Sequence, residues 1–125
     1  MDVLRNMVEA VVPGGLVLDL QVIRPNGVVE ADGSVLCEVD GAALFRRADA
    51  ARVAIDSLVG DGRLFDEAAV DHDVLSHYVS GASLVDYFAD GKLRRLPEAE
   101  LPRLRAFAGP CIVRERCRLR RLRVR

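Results

Sequence analysis

The chain has 125 residues, half of them hydrophobic and 30% charged, which suits one packed domain and excludes a second independent core. It holds four Phe, two Tyr and no Trp, so the core must be built from Val, Leu, Ile and Ala. The net charge of −1 conceals an asymmetry: residues 114–125 carry seven Arg and one Glu, while the rest of the chain carries 18 acidic and 11 basic side chains. The final segment is therefore expected either to bind an anionic partner or to pair with the acidic remainder of its own chain.

Taken in chain order, residues 2–12 read as a helix, with Asp2 as its cap and Leu4, Met7, Val8 and Val11 at helical spacing. Pro13 ends it, and Gly14 or Gly15 supplies the left-handed closing residue. The run 16–23, LVLDLQVI, is a strand, apolar on both faces apart from Asp19 and Gln21, as in strands covered on both sides. A turn at 24–27 leads to a hairpin over 28–39 that reverses near Ala31, Asp32 and Gly33. Asp40 caps the clearest helix, where Leu44, Ala48, Ala51, Ile55 and Leu58 form one stripe and Gly60-Asp61-Gly62 the stop.

Residues 70–79 alternate as a strand, with Val70, His72, Val74, Ser76 and Tyr78 on one face. A short helix follows, capped by Ser80 or Ser83 and closed by Gly91. Pro97 and Pro102 predict a helix over 97–108 that kinks or restarts. The last strand starts at Cys111. Its apolar residues change parity between Leu119 and Leu122, which predicts a bulge there.

No uncharged apolar run approaches the roughly 20 residues of a membrane span. Asp2, Arg5 and Glu9 stand where a secretory signal would have a basic start and an apolar stretch. Cys37, Cys111 and Cys117 are odd in number with no C-x-x-C pair, so they read as small buried hydrophobes of a reducing, cytoplasmic chain.

The segment LRNMVEAVVPGGLVLDLQ, with Pro13-Gly14-Gly15 between helix and strand, resembles the join between the fourth helix and fifth strand of class I S-adenosylmethionine-dependent methyltransferases. The resemblance extends along the chain: the 40–59 helix corresponds to the fifth helix, 70–79 to the sixth strand and 111–124 to the seventh. It implies an α/β chain with a partial Rossmann-like fold, a mixed sheet and flanking helices, the last strand lying antiparallel between those at 16–22 and 70–79. The chain would be the C-terminal half of such a fold. The Gly-rich loop and ribose-binding acid of the cofactor half have no counterpart, so no cofactor-binding residue is assigned. S-adenosylmethionine is expected only if a separate N-terminal half completes the chain. The same gap should leave the edge and face of 16–22 exposed, which predicts a homodimer or a separate N-terminal subunit.

The resemblance places Gln21 and His72 on the substrate side, as candidates for a pocket lining. His72 and His77, beside Asp71 and Asp73, lie five residues apart and point to opposite faces of a strand, so they do not form one base or metal site. Asp19, within an apolar strand, calls for a cationic partner, which the terminal arginines could provide. Those arginines alternate with apolar residues and have no interleaved aromatics, so pairing within the chain is favoured over nucleic acid. No serine lies in a G-x-S-x-G elbow. Three functions follow: half of a split or truncated methyltransferase, a non-enzymatic interaction module on the same scaffold, and, least favoured, a nucleic-acid binder acting through the Arg-rich strand. No catalytic residue is assigned.

Overall fold

Strand β5 (Cys111–Val124) is the axis around which the other elements are placed. In the computed structural model, residues 2–125 are described; Met1 and the side chains of Asp2, Val3 and Arg5 lie outside that description, and the expected Asp2 cap with them. On one side β5 pairs along its length with β4 (Leu64–Tyr78). On the other it pairs through residues 117–123 with β1 (Leu16–Val22) and through 112–114 with β2 (Val28–Ala31). Strand β3 (Ser34–Glu38) extends the sheet beyond β2. Every one of these pairings is antiparallel, so the sheet is antiparallel rather than mixed. The last strand does lie between the 16–22 strand and the 64–78 strand.

Helices α1 (Asp2–Ala10) and α2 (Ala42–Gly60) pack on one face; α3 (Gly81–Ala89) and α4 (Leu101–Ala106) pack on the other. The faces are labelled by the parity of β5 residues. Cys111 and Val113, on the odd face, join Val29, Val39, Leu84, Val85, Phe88 and Leu104 in one core. Leu122 and Val124, on the even face, join Val8, Val17, Ile55 and Leu64 in the other. This corrects the expected bulge in β5. Its pairing with β1 is unbroken from Val22↔Cys117 to Leu16↔Arg123. The apolar parity changes because the core moves from one side of the sheet to the other partway along the strand.

The only break in the β4–β5 ladder lies in β4, where Glu67 is the extra residue between Asp66 and Ala68. Strand β4 also starts six residues earlier than the alternation at 70–79 predicts. Its first half, with Asp66, Glu67, Ala68 and Ala69, has low intrinsic strand propensity. Cross-strand ion pairs to β5 hold it there.

Local devices mostly follow the sequence. Gly14 has φ +83 at the end of α1, Asp32 and Gly33 both have positive φ in the β2–β3 turn, and Gly62 has φ +76 after α2. Ser80 caps α3 by accepting from the Ser83 N–H. Gly41, not Asp40, is the capping residue of α2, although the Asp40 carboxylate accepts from the Ala42 N–H. The 97–108 segment is a 3₁₀ turn at Glu98–Glu100 that continues into α4, matching the expected restart.

Candidate functional site

The terminal arginines face carboxylates of their own chain. Arg118 holds Asp71 with two bonds, at 2.7 and 3.0 Å. Asp73 accepts from Arg114 and Arg116, and Arg114 also reaches Glu30. Arg120 bridges Asp56 on α2 and Asp66 on β4, each at 3.0 Å. Arg121 and Arg123 share Glu67. This is the internal pairing that the charge asymmetry suggested.

Arg118 hydrogen bonds hold the Asp71 carboxyl below the usual carboxylate range; bonds from Arg116 and Arg114 do the same for Asp73, and from Arg123 and Arg121 for Glu67. Each folded pKa lies below the unfolded value of about 4, so the stabilisation is complete above that value and fades as pH falls through the depressed pKa. We expect melting temperatures by circular dichroism to hold from neutral pH to about 5 and to drop below about 4. The Asp71→Asn/Asp73→Asn double variant should show a smaller acid drop. An equal drop in that variant would mean these pairs do not carry it.

Gln21 lines an open groove of about 290 Å³ on the even face, between the carboxyl end of β1, α2 and β5. Arg118 and Arg120 form its floor, and Arg24, Asp49 and Arg52 its α2 side. Arg24 grips Asp49 in two bonds and lowers its pKa, while Arg52 stands 3.7 Å from the same carboxylate. Asp19 also lines the groove. It lies opposite Arg120 in the strand register but accepts from the Gln21 amide at 2.8 Å. The expected arginine partner of Asp19 is therefore not observed: Arg120 turns to Asp56 and Asp66, and the half-buried Asp19 keeps solvent access. His72 is opposite Cys117 on the odd face and His77 opposite Ile112 on the even face. Gln21 and His72 thus lie on opposite faces and do not line one pocket. Arg24, Asp49 and Arg52 are groove residues that the sequence did not single out, since only the packing of α2 across β1 brings them to Gln21.

A nucleotide-type cofactor such as S-adenosylmethionine needs a strand-to-helix turn whose backbone it can approach. The two such turns among the described residues are occupied by the chain itself. At Gly41, between β3 and α2, an added Cβ would stand 3.1 Å from the Phe45 ring; at Gly81, between β4 and α3, it would stand against the Leu104 carbonyl oxygen. Among the described residues no three His, Cys, Asp or Glu side chains converge as metal ligands would, and no helix is long and apolar enough to cross a membrane. Cys37, Cys111 and Cys117 are free thiols whose pKa values are raised by burial.

The helices leave two parts of the sheet uncovered. On the even face the open part carries the Glu30–Arg114–Asp73–Arg116 network, together with Val35 and Leu75. On the odd face it is largely apolar around Arg121 and Arg123. Leu16, Leu18, Leu20, Phe65 and Val70 are 44%, 61%, 54%, 50% and 56% exposed. Strand β1, expected to be covered on both faces, is covered on one. Its outer edge is also unpaired among the described residues. The outer edge of β4 is guarded by a bulge and carboxylates, whereas β1 carries no Lys or Pro and one charge. No family model matches the chain, and no curated protein or solved structure matches it either.

Proposed function

We propose that this chain is the sheet-completing half of a methyltransferase-like α/β fold, with the cofactor held by a separate half that docks along β1. The observation that carries this reading is the state of β1: an unguarded, unpaired edge beside an open leucine face, on a strand that β5 fixes antiparallel from the other side. The strand order β1-β5-β4 supports it, being the order the resemblance implies. In this role the chain contributes the substrate-side wall, with Gln21 and the arginine-floored groove at the carboxyl end of β1, where α/β sheets place ligands.

The occupied turns at Gly41 and Gly81 predict that the isolated chain gives no heat of binding with S-adenosylmethionine in isothermal titration. Tight binding would overturn the proposal. The native species should contain this 13.7 kDa chain together with a second, different polypeptide of ~100–200 residues. A mass equal to this chain's own 13.7 kDa would favour instead an interaction module that keeps the scaffold without the chemistry.

A further inference from the structure

The uncovered apolar strip on the odd face has a defined size and charge pattern. Register sets three open rows across β1, β5 and β4: Leu20–Leu119–Val70, Leu18–Arg121–Ala68 and Leu16–Arg123–Phe65, bounded by the buried Cys117. Strand spacing makes the strip about 10 Å wide, and the rise per residue makes it about 14 Å long. A width of three strands matches the diameter of one α-helix, and that length corresponds to about nine helical residues.

The middle column decides between occupants. Arg121 and Arg123 share the single carboxylate of Glu67, and the Arg125 guanidinium lies 5.1 Å from the centre of the Phe65 ring at the end of the strip. A second copy packed face to face would bring a second set of the same arginines into one interface, with too few carboxylates to compensate them once desolvated. An incoming surface with carboxylates opposite the middle column would complete the pairing and cover the leucines.

We propose that the strip seats one amphipathic α-helix, apolar on its inner face and bearing acidic side chains that meet Arg121 and Arg123, carried by the polypeptide that extends the sheet at β1. The identity of that polypeptide rests on the function proposed above; the chemistry of the strip does not.

The test uses two synthetic helical peptides with the same leucine stripe, one flanked by Glu and one by Lys, titrated into the full chain and followed by amide and methyl NMR. The Glu peptide should shift Leu18, Leu20, Leu119 and Val70 and bind at least about tenfold more tightly than the Lys peptide. Leu20→Lys should reduce that binding about tenfold or more, and Arg121→Glu should reverse the preference between peptides. Both substitutions fall on solvent-facing positions, and unchanged circular dichroism would confirm that the variants fold. Equal affinity for the two peptides, binding unaffected by Leu20→Lys, or a sedimenting dimer that Leu20→Lys dissociates would each overturn the proposal. A native mass of 13.7 kDa alongside Glu-selective binding would remove the split-fold reading and leave the strip as a helix-binding site.

Discussion

Gly81→Ala should destabilise the protein by about 1–3 kcal/mol or more in urea unfolding, the reverse of the usual sign for such a change in a helix. Replacing an interior helical glycine with alanine ordinarily stabilises by about 0.5–1 kcal/mol, because glycine loses more backbone freedom on folding. Gly81 opens α3 and is fully packed. A Cβ there would stand 1.8 Å from the Leu104 carbonyl oxygen and 3.1 Å from the Phe107 Cβ. Backbone cannot step aside as a flexible side chain would. The end of α4 must move, and the bond from the Gly81 N–H to the Phe107 carbonyl, 2.9 Å long, moves with it. Gly60 is the internal control. It ends α2 with nothing within 4 Å of a built Cβ and without positive φ, so Gly60→Ala should be neutral or stabilising by up to about 1 kcal/mol. Matching effects at the two glycines would mean that α3 and α4 do not approach each other as closely as described.

That close approach was invisible in the sequence, where Gly81 reads only as a small residue after a serine cap. Local devices were legible because their chemistry is local. The Ser80 cap, the left-handed Gly14 and the Asp32-Gly33 turn each depend on neighbours within three residues. The α2 stripe was legible for the same reason, although Phe45 takes a place in the core that the stripe of Leu44 and Ala48 did not reserve. What could not be read was which side of the sheet each helix covers. Apolar residues on both faces of β1 look alike in sequence, yet Val17 is buried beneath α1 and α2 while Leu18 faces outward. The first half of β4 was missed because its strand conformation is dictated by arginines more than 50 positions away. The groove suffers the same limit: Gln21 was singled out, but its cationic walls come from α2 and β5.

Leu122→Ala should be the most destabilising of the aliphatic truncations in β5, costing about 2–5 kcal/mol. Leu122 is fully buried, set between Val17 on β1 and Asp66 on β4, and shares its core with Val8, Ile55, Leu64 and Val124. Removing its three outer carbons leaves a cavity beneath two helices that cannot close without shifting α2, which Arg120 also ties to β4 through Asp56 and Asp66. Against a typical total of about 5–15 kcal/mol, that loss would shift the urea midpoint markedly. Leu119 lies three positions earlier on the same unbroken strand but on the opposite, uncovered face. Leu119 is half-buried there between Leu20 and Val70, so Leu119→Ala should cost less, about 1 kcal/mol. The pair discriminates between two folds of the same residues. A bulge between Leu119 and Leu122 would put both leucines on one face, under one layer, with comparable costs. The unequal costs expected here follow only if the strand is continuous and the helical layers change sides along it.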